Sequence, residues 1–301
     1  MKWRGRQRSS NIEDRRGAGG GMGGLGRGSG LRMPGGRGGG GIGGIGLIVA
    51  LFIIAAALGI NPLSLLDGSI PSGPSTGSSQ SRPSTNAADD ELAAFVSVVV
   101  HETEDMWGKV FADSGMTYEE PPVVLFSGQT RSACGVADAS TGPFYCPGDS
   151  KVYLDLAFYE QLRRQFGAPG DFAQAYVLAH EIGHHVQNLT GVLPEFNQAR
   201  ARLSTEEANQ WSIRVELQAD CYAGVWAAYA GQEDLLESGD IDEALNAANR
   251  IGDDTLQKQM QGFAVPKTFN HGTSAQRKRW FERGYSEGNP GACDTFNVAQ
   301  P

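Results

Sequence analysis

The stretch from Gly17 to Gly46 is little but glycine with scattered Arg, Met and Leu, and 19 of the chain's 42 glycines fall before Leu47. A segment so poor in apolar side chains cannot bury enough surface to offset the entropy of ordering its backbone. A chain of 301 residues could otherwise hold one large domain or two small ones. The glycine run confines the folded part to the residues beyond it, and residues 1–41 are expected to form a disordered Gly/Arg-rich cytoplasmic arm.

Charge divides at the same place. Residues 1–41 carry nine Lys or Arg against Glu13 and Asp14, which leaves 16 basic and 32 acidic residues for 42–301. Between the halves lies the apolar run Ile42 to Ile60, inside an uncharged stretch from Gly38 to Leu66. At about 1.5 Å per residue this run reaches roughly 28 Å, close to the hydrocarbon thickness of a bilayer. It is expected to be one transmembrane helix in the cell (inner) membrane. The basic flank then stays in the cytoplasm and everything beyond Pro62 lies outside it. A cleaved signal peptide ending at Ala55-Ala56-Ala57 is the rival reading, disfavoured by a basic region far too long for one. Arginines dispersed among glycines suit an orientation signal, and no nucleic-acid partner is expected.

Residues 61–86, rich in Ser, Pro and Gly, read as a linker. The folded domain is expected over 87–301, long enough for one sizeable core. Apolar spacing at Leu92, Phe95, Val98, Val99, Met106 and Trp107 predicts a first helix. The runs 121–126 and 151–156 predict short strands in a small hairpin or sheet. Helices are predicted over 157–167, 171–190, 204–230, 240–250 and 273–285. Asp171 with Gln174, Ser204 with Glu207 and Thr273 with Gln276 mark three of the starts, and Gly191 can close the second helix in the left-handed conformation. The fold class is α+β, mainly α. Of three possible cysteine pairings, Cys134 with Cys146, closing a short loop, and then Cys221 with Cys293 are favoured. The alternative leaves Cys221 as a buried apolar residue.

The segment Asp171 to Thr190 contains His180-Glu181-Ile182-Gly183-His184. Residues four apart stand one above the other on a helix, so His180 and His184 can present two imidazoles to one ion. Glu181, about 100° further round, can reach a water on that ion without binding it. Phe172, Tyr176, Leu178, Ala179, Ile182 and Val186 make the helix predominantly apolar, and buried polar groups there need partners. A catalytic zinc wants a third protein ligand. Glu216 and Asp220 lie four apart in another apolar helix. Glu216 is assigned as that ligand and Asp220 as the acceptor that orients a ligand histidine. Arg214 is a competing partner for the two carboxylates. His185 reads as a surface residue or a support to the motif, and His101 as exposed.

The blocks SACGVADASTGPFYCPGDSKVYLDLAFY (132–159), AHEIGHHVQNLTG (179–191), ELQADCYAGVWA (216–227) and HGTSAQRKRWFERG (271–284) resemble the neutral zinc metallopeptidases of bacteria, over nearly all of 88–295. The resemblance implies a membrane-anchored, extracytoplasmic, zincin-like metallopeptidase domain with Glu181 as base. The downstream Glu-x-x-x-Asp is also similar to the gluzincin peptidases. By that similarity His271 is a candidate transition-state stabiliser, supported by Arg277 or Arg279; otherwise His271 belongs to a loop and Thr273 merely caps the last helix. The expected function is a zinc-dependent endopeptidase acting on a protein or peptide substrate. The alternative is a non-catalytic, zinc-stabilised cell-envelope binding module.

Overall fold

Gly183 sits where two long helices meet: a Cβ at this position would lie 3.2 Å from the Cα of Ala219. The pair of small residues lets helix Asp171–Leu189 press against helix Thr205–Gln232, so the His-Glu-x-x-His segment faces Glu216 across a narrow gap. In the computed structural model, which describes residues 1–16, 87–138 and 141–301, these helices form the centre of a mainly helical domain. In chain order the elements are β1 (Ile12–Asp14), α1 (Ala87–Asp113), β2 (Val123–Phe126), β3 (Gln129–Ser132), β4 (Gly135–Asp138), β5 (Phe144–Cys146) and β6 (Lys151–Asp155). Then come α2 (Ala157–Arg164), α3 (Asp171–Leu189), α4 (Val192–Arg200), α5 (Thr205–Gln232), α6 (Asp240–Arg250), α7 (Asp253–Gln261) and α8 (Ser274–Glu287).

Helix α5 is gripped from its other side by α8. A Cβ at Gly224 would lie 2.1 Å from the Phe281 carbonyl oxygen, and one at Gly284 only 1.9 Å from that of Cys221. The backbones touch because neither position carries a side chain. Stacked Phe172 and Trp226 (5.5 Å) and edge-on Tyr176 and Phe281 (5.5 Å) fill the space between the three helices. Burying each such side chain is worth about 1.5–3 kcal/mol. Capping boxes at Ser204 and Thr273 start α5 and α8 as the sequence predicts. Gly191 adopts φ +88° after α3. Asp171, by contrast, is no cap: Gly170 holds that place, the Glu243 carboxylate accepts the Phe172 N–H, and Asp171 receives the Met1 amino group at 2.7 Å. Helices α4 and α7 are short and amphipathic, and had no expected counterpart.

The sheet has the order β1-β2-β6-β5. The two strands expected as a hairpin or small sheet, β2 and β6, pair in parallel, with Val123 opposite Val152. The chain between them forms a separate β3–β4 hairpin and then β5, which pairs antiparallel with β6. Disulfides join Cys134 to Cys146 and Cys221 to Cys293.

The first sixteen residues depart from the expected disordered arm. Met1 and Trp3 are buried, Trp3 packs edge-on against Phe95 at 5.6 Å, and β1 adds in parallel to β2. The glycine run starts only at Gly17, so this stretch keeps its own apolar anchors and its basic side chains meet the acids of the domain. The apolar run 42–60 and the linker 61–86 lie outside the described residues. Among the described residues no helix is long and apolar enough to cross a membrane.

Two helical glycines carry opposite predictions, Gly284 at the α5–α8 contact and Gly108 in α1. Gly284→Ala drives a methyl into backbone and should lower the unfolding free energy by about 1–3 kcal/mol or more. Gly108→Ala, where nothing lies within 4 Å of the added carbon, should raise it by roughly 0.5–1 kcal/mol. Urea titration of the two variants measures both signs.

Candidate metal centre

His180 and His184 follow one another along α3 with ring centroids 4.7 Å apart. Glu216, from α5, closes the triangle: its Oε2 lies 3.2 Å from His180 Nε2 and its Oε1 3.6 Å from His184 Nε2. All three are buried, and one ligand atom from each lies within 4.8 Å of the others, a grouping able to hold a metal ion.

The far side of each imidazole fixes which nitrogen carries its proton. His180 Nδ1 lies 2.9 Å from Asp220 Oδ1, and Asp220 is committed to accepting: Tyr176 Oη donates to Oδ1 at 2.5 Å, while Arg277 Nη2 and Nε donate to Oδ1 and Oδ2, both at 2.8 Å. The ring must therefore donate from Nδ1. His184 Nδ1 lies 2.8 Å from Gln187 Oε1, and the Gln187 amide nitrogen is spent on the Val215 carbonyl and Gln218 Oε1, so its oxygen can only accept from the ring. Both Nε2 atoms are thus turned to the gap beside Glu216, the ring orientation that a metal ligand needs.

Electrostatics follow from burial and pairing. Burial opposes a charge on Asp220 and on Glu216, yet both are held below the usual carboxylate range, Asp220 by Arg277 and His180, Glu216 by the surrounding histidines. Burial likewise disfavours protonated His180, but Asp220 and Glu216 outweigh it and raise the group to about 10. Burial lowers His184 to about 4. Glu181, half-buried by its surface at the cleft wall, accepts the backbone N–H of Tyr145 on Oε2 at 2.9 Å, and desolvation pushes it up to about 7.

These groups line one cleft with about 880 Å³ of empty space, part of it open to solvent. His180, Glu181, His184 and Glu216 share it with His271 and Arg277; Phe144, Phe158, Val177, Leu193 and Ile251 contribute apolar wall. The edge strand β5 borders the cleft through Phe144 and Tyr145.

His271 is buried, and Asp253 holds it from behind. Oδ1 lies 3.0 Å from His271 Nδ1, and Oδ2 accepts the backbone N–H groups of Asn270, His271 and Gly272 at 2.8–3.1 Å. His271 Nε2 has no hydrogen-bond partner among the described residues. Of the two arginines expected to support it, Arg279 is exposed, and Arg277 spends its hydrogen bonds on Asp220, Tyr176 and the Ile251 carbonyl. Arg214 is no rival for Glu216, since it donates to the carbonyls of Thr295, Phe296 and Val298. His185 is buried rather than superficial, between Tyr145 Oη (3.1 Å) and the Glu119 carbonyl. His101 is half-buried, 3.8 Å from Glu104 and 3.7 Å from Asp105. A second carboxylate group, Asp171, Asp240 and Glu243, could also hold a cation, but the Met1 amino group already lies against Asp171 and Asp240.

Tyr176, Gln187 and Asp253 are the polar partners that sequence reasoning missed. The first two stand four residues before His180 and three after His184, a helical spacing that could have flagged them. Asp253 reaches His271 through a loop closure that no local spacing encodes.

Residues 1–296 match the family described as "Putative neutral zinc metallopeptidase". The chain is similar to the uncharacterized protein YpfJ of Escherichia coli (strain K12), 46% identical over 299 residues, which cover 98% of this chain and 99% of that protein. It is also similar to the uncharacterized protein Rv2575 of Mycobacterium tuberculosis (strain ATCC 25618 / H37Rv), 48% identical over 193 residues, 60% of this chain and 64% of that one. No solved structure matches.

The fully buried Asp220–Arg277 pair gives a test that needs no metal. Arg277→Ala strands a carboxylate in the core and should cost about 3–5 kcal/mol. Adding Asp220→Ala to that variant should recover part of the loss. A double-mutant cycle in urea reads the coupling, and strict additivity would deny it.

Proposed function

Because this chain belongs to the neutral zinc metallopeptidase family, we propose that it is a zinc-dependent endopeptidase whose ion is held by His180, His184 and Glu216. The donor set supports the fit: two imidazoles whose Nδ1 is fixed by an acceptor and whose Nε2 faces a common gap, where zinc would take the place of the Nε2 proton that His180 otherwise holds, and a carboxylate kept ionised beside them. Zinc held there would supply Lewis-acid polarisation of a carbonyl and would lower the pKa of water to about 7.

The protein's own groups divide the remaining work. Glu181 is the general base: Tyr145 N–H fixes Oε2 and so orients the carboxyl, which takes a proton and returns it to the leaving nitrogen. Asp220, clamped by Arg277 and Tyr176, orients His180; Gln187 does the same for His184. Against the cost of burial, His271, anchored at Nδ1 by Asp253, is held toward its protonated form by Asp253 and Glu216; as an imidazolium it presents an unpartnered Nε2–H in the cleft and serves as the donor to the developing oxyanion. The apolar wall of the cleft suits a protein or peptide substrate. A non-catalytic zinc module has no use for a carboxylate fixed beside the ligands, nor for a cleft opening onto them.

The two disulfides support an oxidising, extracytoplasmic setting for the domain. Its attachment to the cell membrane is proposed to run through the apolar residues 42–60.

The single observation that carries this reading is the pair of acceptor-fixed imidazoles facing Glu216. Full-length protein should purify with one zinc per chain. Glu181→Gln should keep the zinc while kcat on an unfolded protein substrate falls about 10²–10⁴-fold. Asp220→Asn should weaken zinc binding by about 10–100-fold, read by competition with a chelator. Full activity in Glu181→Gln would refute the assignment of the base.

A further inference from the structure

Residues 1–16 lie in a groove built by three parts of the domain, and the contacts run its whole length. At one end the Lys2 N–H donates to the Leu235 carbonyl at 2.7 Å, and Arg6 pairs with the largely buried Glu102 at 3.2 Å. In the middle, Ser9 and Ser97 exchange hydrogen bonds at 2.9 and 3.0 Å, and Ser9 Oγ donates to buried Glu104 at 2.7 Å. Further on, β1 docks on β2: Val123 N–H donates to the Asn11 carbonyl at 2.8 Å and Arg15 N–H to the Leu125 carbonyl at 2.7 Å. Trp3, only 8% exposed, anchors the strap in the core.

The strap ends at a clamp. Arg16, 6% exposed, donates to the Asp89 carbonyl at 2.7 Å and to Asp90 at 3.2 Å, in the first turn of α1. The chain therefore leaves the domain at Arg16 and rejoins it at Ala87 at the same place. Several of the basic residues that suggested a cytoplasmic orientation signal are neutralised within the protein: Arg4 by Glu91, Lys2 by Asp234, Arg6 by Glu102 and Arg16 by Asp14 and Asp90. The family match also begins at residue 1, so the strap belongs to the matched region.

We propose that residues 1–16 are an integral strand of the catalytic-type domain, and that strap and domain occupy one side of the membrane. A single crossing between Arg16 and Ala87 would put the two on opposite faces and pull the Arg16–Asp90 clamp and the β1–β2 pairing apart. The strap also covers the outer edge of β2, and the edge of the sheet that stays open at the cleft is β5.

Two measurements on the full-length chain in membranes decide this. Ser10→Cys and, separately, Met116→Cys each place one thiol at an exposed position, in the strap and in the domain. A membrane-impermeant maleimide applied to sealed spheroplasts, and to inverted vesicles, should label both variants from the same face. Labelling from opposite faces would overturn the proposal. Hydrogen exchange on unaltered protein should show the Arg15 and Val123 amides protected at least about 100-fold over the unfolded chain, because opening them requires undocking the strand. Exchange of Arg15 at the unfolded rate would overturn it as well. Neither readout involves peptide hydrolysis, so the inference stands or falls apart from the proposed activity.

Discussion

One carboxylate ties the molecule together. Asp220 on α5 receives Tyr176 and His180 from α3 and two nitrogens of the Arg277 guanidinium from α8, all within 2.5–2.9 Å. An ionised group this deep is tolerable only with its partners in place, since desolvation alone would exclude it. The same contacts that make it tolerable hold three helices in register and set the tautomer of His180. Core packing and site geometry are thus a single constraint, and the glycines at 183, 224 and 284 are what allow the helices near enough to satisfy it.

The remaining parts of the site hang from that frame. The sheet places β5 along the cleft, where a backbone amide rather than a side chain steadies Glu181. His185 and Asn188 hold Tyr145 by its hydroxyl, so the residue whose amide steadies Glu181 is itself fastened at both ends. On the opposite flank Asp253 organises three consecutive amides and one imidazole, which gives His271 a fixed pose. The disulfide from Cys221 joins the α5 turn after Asp220 to the C-terminal segment at Cys293, stiffening the same helix from outside.

Much of this was legible in the sequence where the determinant is local. The four-residue spacings of His180 with His184 and Glu216 with Asp220 set faces of helices, and the capping boxes at Ser204 and Thr273 set their starts. What escaped depends on pairing across the chain. β2 and β6 are parallel because the chain between them detours through a hairpin and an edge strand, which apolar alternation cannot reveal. β1 is three residues long and two of them are acidic; it is held by pairing with β2, with Ile12 opposite Val123, and by Lys151 against Glu13, partners far along the chain, so composition alone hid it. Arg277 was noticed for the wrong partner, because a helix seam between α5 and α8 decides whom it meets.

The central claim is that His180, His184 and Glu216 make one zinc centre. X-ray absorption at the zinc edge of purified full-length protein tests it directly. The expected shell holds two imidazole nitrogens and carboxylate or water oxygen, without sulfur, and collapses in His184→Ala. A sulfur-containing shell, or one unchanged by His184→Ala, would contradict it.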